Sequence, residues 1–402
     1  MTDLRVLLLE NIHPIAEERL TAEGFRVETV PGSLQGDALR ERLDGVHFLG
    51  IRSKTQVTAE VLEGASDLVG VGAFCIGTNQ VDLPAANRRG VVVFNAPFSN
   101  TRSVAELVLA EIIMLARQVP DRSREVHAGV WKKSAKGSFE VRGKTLGIVG
   151  YGHIGRQVGV LAEVFGLRVL FHDIATVLPM GNNQPIASLD ELLAASDFVT
   201  LHVPATRQTE WMIGREQLAR MKPGAYLLNL SRGTVVDIPA LAEALRDGHL
   251  AGAAIDVYPQ EPGTNDETGF ETELRGVPNV ILTPHIGGST VEAQRSIGEE
   301  VSGTLTKFAR EGATATAVNF PQVDLPRIPN THRVLHVHRN VPGVLSDVNR
   351  IVAEKQANVH AQVLATDPDI GVLLMDLDHD VAEPVCEAFA RLDTTIKART
   401  IY

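Results

Sequence analysis

The sequence predicts an α/β protein of three modules, and three observations carry that prediction. Across residues 4–100, short β-type apolar runs alternate with amphipathic helical stretches. From residue 144, a strand-like run feeds three glycines at G-x-G-x-x-G spacing and then a helical pattern. Beyond a proline-containing stretch near residue 325, the periodicities follow the order β-α-β-β-α-β. At 402 residues the chain also exceeds the size at which single cores stop growing, so division into modules is expected.

In the first module the strand-like runs are 6–9, 25–29, 46–51, 68–72 and 91–95, separated by helical patterns such as 13–22, 37–43 and 82–89. Strict alternation of this kind predicts a parallel, flavodoxin-like sheet covered by helices. Asn100-Thr-Arg-Ser103 then opens a long helix over 104–119, with Ser103 as the expected N-cap and Glu106 at capping-box spacing.

The central module is the most explicit. Leu146 to Val149 reads as a strand, Gly150, Gly152 and Gly155 follow, and Ile154, Val158, Leu161, Ala162 and Phe165 recur at helical spacing up to Gly166, an expected C-terminal stop. A second strand, 167–172, ends at Asp173, 18 residues after Gly155. Each part suits a dinucleotide in a Rossmann fold. Gly150 permits the tight turn, Gly152 lets backbone approach a pyrophosphate, and Gly155 permits close packing of helix on strand. The helix start directs N–H groups and a positive dipole end at phosphates. Asp173 can accept hydrogen bonds from both ribose hydroxyls and would repel a 2′-phosphate, which points to NAD rather than NADP. Further strand-like runs at 198–202, 225–230, 253–257 and 280–283 extend the sheet, and a helix over 290–310 returns the chain towards the first module.

Composition excludes several classes. Net charge is −11, with 44% hydrophobic and 22% charged residues, as in an ordinary soluble globular chain with no nucleic-acid surface. Cys75 and Cys386 stand in no metal or redox spacing. The N-terminal run reads as a first strand rather than a signal peptide, and no stretch approaches 18 apolar residues, so a cytoplasmic location without a membrane span is expected.

In open α/β sheets, ligands bind beyond the carboxyl ends of the strands. Three polar residues follow strand-like runs in the central module: Arg232, Glu261 and His285. Oxidation of a 2-hydroxy acid needs such a set. A histidine can take the hydroxyl proton, a carboxylate beside it favours and orients the imidazolium, and an arginine can grip the substrate carboxylate. Taken singly each has a plain reading, since any one of 13 histidines is more often structural and Arg232 suits an exposed loop.

The runs Gly150-Tyr-Gly-His-Ile-Gly155, Ser231-Arg-Gly-Thr-Val-Val-Asp237, Gly252-Ala-Ala-Ile-Asp256 and Leu282-Thr-Pro-His285-Ile-Gly-Gly-Ser289 resemble the D-isomer-specific 2-hydroxyacid dehydrogenases. Asn95-Ala-Pro-Phe-Ser-Asn100-Thr-Arg-Ser-Val-Ala-Glu106 and Ala317-Val-Asn-Phe-Pro321 resemble the branch of that family that oxidises D-3-phosphoglycerate, and Asn340-Val-Pro-Gly-Val-Leu345 resembles an ACT domain. The resemblance covers essentially the whole chain. It implies a substrate-binding domain at 1–99 and 288–325, an inserted NAD-binding domain at 100–287 and an ACT regulatory domain at 331–402, after a proline-containing linker. It implies that Arg232, Glu261 and His285 are catalytic, and that His153, Ile154, Asp173, Ser231, Asp256, Gly287 and Gly288 line the NAD site. Arg52, Ser53 and Asn100 match substrate-binding positions, with Arg52 suited to a phosphate. Trp131-Lys-Lys133 matches a segment at a subunit contact, where Lys133 adds positive charge to the pocket.

In the C-terminal module, His338, Asn340 and Asn358 match residues that bind L-serine across a pair of ACT domains, and Arg339 stands where some relatives carry an acid. The resemblance implies a homotetramer, feedback inhibition by serine and reduction of 2-oxoglutarate by some relatives. His332, His336 and His338 share a strand face by parity, but no carboxylate or thiol accompanies them, and no metal is expected. Two rival readings are a glyoxylate or hydroxypyruvate reductase and a non-enzymatic NAD-sensing partner protein. Arg52 and the C-terminal module speak against the first, and the intact Arg232–Glu261–His285 set speaks against the second.

Overall fold

The computed structural model describes residues 4–262 and 268–401, apart from the side chain of His379. It forms two compact units, Met1–Ser99 with Gln294–Tyr402, and Asn100–Ala293. The first unit opens with β1 (Arg5–Leu9), β2 (Arg26–Val30), β3 (Phe48–Ile51), β4 (Gly70–Ala73) and β5 (Val92–Asn95), all parallel in the order β2-β1-β3-β4-β5. That is a flavodoxin-like sheet with helices α1 (Ile15–Ala22), α2 (Gly36–Arg42), α3 (Ala59–Gly64) and α4 (Leu83–Arg88). Period-two alternation splits the apolar residues between its faces: Val6, Leu8 and Phe48 enter one core, and Leu7, Leu9 and Leu49 the other. The α3 helix is only six residues long. The Thr58 hydroxyl caps it, accepting from the Val61 N–H at 3.4 Å.

The second unit begins with α5 (Thr101–Ala116) and α6 (Val119–His127). Here the expected cap is displaced. The helix starts at Thr101, after Asn100, so Ser103 lies within the first turn and its hydroxyl bonds Thr290 Oγ1 at 2.7 Å instead. Glu106 pairs with Arg102 on the exposed surface rather than closing a capping box. A seven-stranded parallel sheet follows: β6 (Thr145–Val149), β7 (Arg168–His172), β8 (Gln184–Pro185), β9 (Phe198–Leu201), β10 (Ala225–Asn229), β11 (Leu250–Ile255) and β12 (Val280–Leu282). Its order is β12-β11-β10-β9-β6-β7-β8, and the direction of winding reverses between β6 and β9. Helices α7 (His153–Val164), α8 (Leu189–Ala195), α9 (Arg215–Arg220) and α10 (Ile238–Arg246) connect the strands. This is the doubly wound dinucleotide fold, whose ligand crevice lies at the reversal.

The first unit resumes within α11 (Val291–Glu311) and continues with β13 (Thr331–Arg339), α12 (Val344–Glu354), β14 (Val359–Thr366), β15 (Ile370–Asp378), α13 (His379–Ala390) and β16 (Thr395–Thr400). The strands form an antiparallel sheet in the order β14-β15-β13-β16, the ferredoxin-like arrangement. Val334, Leu373, Met375 and Leu377 face α12 and α13. On the other face, Leu335, Val337, Ile370, Val372 and Leu374 share one apolar core with Phe48, Phe94 and the α11 residues Val301, Leu305 and Phe308. The module therefore buries both faces of its sheet within this unit. The stretch before it has no regular structure, yet Val323 is buried and pairs with Thr314.

Arg333 and Asp376, both fully buried, form a two-pronged ion pair at 2.6 and 2.7 Å. The guanidinium also donates to the carbonyls of Glu311, Leu325 and Pro326, tying the end of α11 and the preceding stretch to the new sheet. Asp376→Ala would strand a buried cation and should cost about 3–5 kcal/mol in urea unfolding, whereas Arg333→Met with Asp376→Leu should cost much less. Equal losses would show that the charge pairing is not what holds this junction.

Candidate active site

At the end of β6, Gly150 takes a φ of 88°, and a Cβ there would lie 2.4 Å from the His202 carbonyl oxygen. A Cβ on Gly155 would meet the Gly150 carbonyl at 2.2 Å, so α7 packs onto the strand only because this residue has no side chain. Gly152, at the N-cap of α7, has open space instead, as backbone approached by a pyrophosphate requires. Tyr151 between them is fully buried and stacks on Phe171 at 3.7 Å, while its hydroxyl accepts from Met180 and donates to Asn183. That anchor stands at a variable position of the motif, so spacing could not announce it. The half-buried Asp173 carboxylate accepts from the Tyr151 N–H at 2.7 Å and the Ala175 N–H at 2.9 Å, which sets it beside the glycine turn.

The loops after β10, β11 and β12 bring the three expected catalytic side chains together. Buried Asn229 shapes the first loop: its Oδ1 accepts from the N–H and hydroxyl of Ser231, and its Nδ2 donates to the Arg232 carbonyl. Gly233 then passes so close to Tyr258 that a Cβ would lie 2.0 Å from its carbonyl carbon, which docks the Arg232 loop against the loop bearing Glu261. Glu261 Oε1 accepts from the Tyr258 N–H, and its Oε2 meets His285 Nδ1 at 2.9 Å. The imidazole is half exposed, on the solvent side of the pair. Hydrogen bonding to Glu261 raises the His285 pKa, against the opposing effects of burial and the Arg232 charge. Burial works to raise Glu261, but the bond and charge of His285 outweigh it and hold the carboxyl below its usual range.

His285 itself has a left-handed backbone, φ 56°, a conformation uncommon in non-glycine residues though less so for histidine than for most. Asp256 holds it there. This carboxylate, 1% exposed at the end of β11, accepts from Thr283 Oγ1 at 2.6 Å and from the Ile286 and Gly287 N–H groups at 2.8 Å each. Gly288, next in the loop, lies against the side chain of Asn100. Beneath Asp256 sits Glu111, on the core face of α5 with Val104, Val108 and Leu115; it is 1% exposed and both its oxygens lack hydrogen-bond partners. Burial, and then the charge of Asp256, push its pKa up to about 8, so it is an uncharged acid near neutrality. An acid in an otherwise apolar helical stripe is the signal by which the sequence could have flagged it.

The remaining expected positions are more scattered. Arg52 is half-buried and Ser53 exposed in the loop after β3, and Lys133 is exposed near Trp131, whose ring is 84% exposed. In the C-terminal sheet His338 is buried with its Nδ1 on the Arg339 carbonyl, and Asn340 donates to the Asp367 carbonyl. Arg339 pairs with Ile370 and Val359 with Leu377, so Asn340 and Asn358 stand at opposite ends of one sheet, roughly 25–30 Å apart along the strands. A single module cannot close all three residues on one small ligand. Among the described residues no cluster of three or more metal-ligating side chains occurs, and no helix is long and apolar enough to cross a membrane.

Because Glu111 is buried as the neutral acid, unfolding releases its proton at any pH above its ordinary value. Its cost to stability therefore grows as pH rises from about 4.5 and levels off above about 8. Glu111→Gln should stabilise the protein on the order of 3 kcal/mol at pH 8 and hardly at all at pH 4.5, by chemical denaturation. A difference independent of pH would mean that Glu111 is ionised in the folded state.

Residues 109–287 match the NAD-binding domain of the D-isomer-specific 2-hydroxyacid dehydrogenases, and residues 334–397 match an ACT domain of the acetohydroxyacid synthase small-subunit type. The chain is 52% identical over 399 residues to a D-3-phosphoglycerate dehydrogenase of Dictyostelium discoideum, covering 99% of this chain and 97% of that one. It is 51% identical over 402 residues to the enzyme of that name from Escherichia coli K12, covering 99% and 98%. Among solved structures, a glyoxylate reductase from Paecilomyes thermophila aligns with a TM-score of 0.71 at 27% identity, over 79% of this chain and 99% of that one. With likeness to phosphoglycerate dehydrogenases running the full length and the more distant reductases sharing the fold, the chain belongs to the D-3-phosphoglycerate dehydrogenase family of D-isomer-specific 2-hydroxyacid dehydrogenases.

Proposed function

We propose that this protein oxidises the C2 hydroxyl of D-3-phosphoglycerate to the ketone of 3-phosphohydroxypyruvate with NAD, the first step of L-serine formation, in the cytoplasm. The observation that carries the reading is the 2.9 Å contact between His285 Nδ1 and Glu261 Oε2. It commits the Nδ1 proton to the carboxylate and leaves Nε2 as the base that takes the hydroxyl proton. Glu261 stabilises the imidazolium that results. Arg232 grips the substrate carboxylate and polarises the forming carbonyl. Arg52 and Ser53 take the phosphate, with Asn100 and Lys133 as further substrate contacts. Gly150, Gly152, His153, Ile154 and Gly155 cradle the pyrophosphate of NAD, Asp173 the ribose hydroxyls, and Ser231, Asp256, Gly287 and Gly288 the nicotinamide end. NAD supplies the hydride acceptor.

Control follows from the C-terminal sheet. Asn340 and Asn358 lie too far apart to serve one ligand within a module, so we assign L-serine to a site shared by two modules, with His338 and Asn340 from one and Asn358 from the other, in a homotetramer. Inhibition then requires that serine prefer one arrangement of the subunits. Turnover of 3-phosphohydroxypyruvate with NADH, with and without millimolar L-serine, tests both halves; no turnover would overturn the first and insensitivity to serine the second.

His285→Ala should keep NAD binding and lose roughly 10²–10⁴ in kcat, the scale for a general base. Glu261→Gln removes the main influence that raises His285, so the acid limb of the pH–rate profile for oxidation should move to lower pH. An unmoved limb would detach Glu261 from the titrating group. Asp173→Ala should weaken NAD binding and narrow the gap to NADP in fluorescence titrations, and a wild type that uses both equally well would refute this role for Asp173.

A further inference from the structure

The loop after β3 is pinned by three side chains from three other segments of the same unit. Glu10, directly after β1, accepts from the Thr55 N–H at 2.8 Å and the Lys54 N–H at 3.0 Å. Gln35, just before α2, donates to the Lys54 carbonyl at 2.8 Å and accepts from the Gln56 N–H at 3.1 Å. Gln80, just before α4 and 3% exposed, donates to the Arg52 carbonyl at 2.6 Å. Backbone groups of Arg52, Lys54, Thr55 and Gln56 are thereby held, in a loop that also carries the side chains of Arg52, Ser53 and Lys54.

Glu10 is an unexpected residue for this place. It is 8% exposed, and a buried carboxylate beside a loop meant for an anion is electrostatically adverse. Its backbone is also left-handed, φ 64°, as is that of Asn11 at φ 51°, so two successive non-glycine residues depart from the favoured regions at the end of β1. Outliers of this kind persist where surrounding structure over-determines them, and they cluster at functional sites. What the arrangement achieves is two acceptors facing two adjacent N–H groups, which bends the backbone immediately after Ser53.

We propose that Glu10, assisted by Gln35 and Gln80, is a positioning residue for substrate specificity: it sets the shape of the Arg52–Ser53–Lys54 loop and thereby the preference for a phosphorylated 2-hydroxy acid over its unphosphorylated analogue. This rests on the phosphate role proposed for Arg52 and Ser53. It concerns neither the cofactor nor the proton transfer, which belong to residues of the other unit.

The test is steady-state kinetics of the full-length protein with NADH and either 3-phosphohydroxypyruvate or hydroxypyruvate. Glu10→Gln turns one acceptor into a donor facing an N–H, so KM for the phosphorylated substrate should rise about tenfold, the scale of one lost charge-assisted bond. The kcat/KM for hydroxypyruvate and the Kd for NADH should stay as they were. Gln35 is exposed, so Gln35→Ala should fold normally and shift the same ratio in the same direction by less. Equal losses on both substrates would make Glu10 merely structural, and no loss on either would leave the loop without need of it; each overturns the proposal. Arg52→Ala separates the two levels. If it abolishes the preference for phosphate while Glu10→Gln and Gln35→Ala retain it, the clamp fails alone; if it retains the preference, the phosphate role of the loop fails and the clamp with it.

Discussion

The carboxylate of Asp256 accepts from the Thr283 hydroxyl and from the Ile286 and Gly287 N–H groups, so the loop bearing His285 hangs from one buried anion at the end of β11. Charge-assisted bonds of this kind are short and directional, and three on one carboxylate leave the loop little freedom. They hold His285 in a left-handed backbone conformation that would otherwise be disfavoured. From there Nδ1 reaches Glu261 across a separation of 24 residues. Glu111 lies under the same carboxylate and stays protonated, so the charge at this depth is single rather than double.

Parallel β-strands explain why these residues meet at all. Every strand of the central sheet ends on the same edge, and the segments after β10, β11 and β12 are neighbours because the strands are. Arg232, Glu261 and His285 are therefore adjacent as a consequence of strand order, and the close approach of Gly233 to Tyr258 brings two of the loops into contact. In the first unit, too, the carboxyl ends of parallel strands lead into polar loops, where Arg52 follows β3 and Glu10 follows β1.

In that unit the C-terminal sheet is covered by helices on one face and shares the apolar core of the flavodoxin-like sheet on the other. A module of some 70 residues buries too little surface alone to be robust, and the shared core supplies what it lacks. Arg333 reinforces the junction by donating to carbonyls at the end of α11 and in the stretch before β13. The prolines in that stretch read as a linker because they exclude regular structure, but composition cannot report whether an irregular segment packs.

The sequence by itself determined the α/β class, the strand and helix periods and the dinucleotide turn, because each depends on neighbours within a few residues. It also marked Arg232, Glu261 and His285 as polar residues after apolar strands, and resemblance gave them roles. It misplaced the start of α5, since Ser103 had a partner in Thr290 that no local pattern shows. Only the tertiary structure decided the contact of Glu261 with His285, the three bonds on Asp256, the protonation of Glu111 and the hold of Glu10 on the loop after β3. Each of these joins residues far apart in the chain, or depends on how deeply a group is buried. Hydrophobic period reports which face of an element is covered; it carries no information about what covers it.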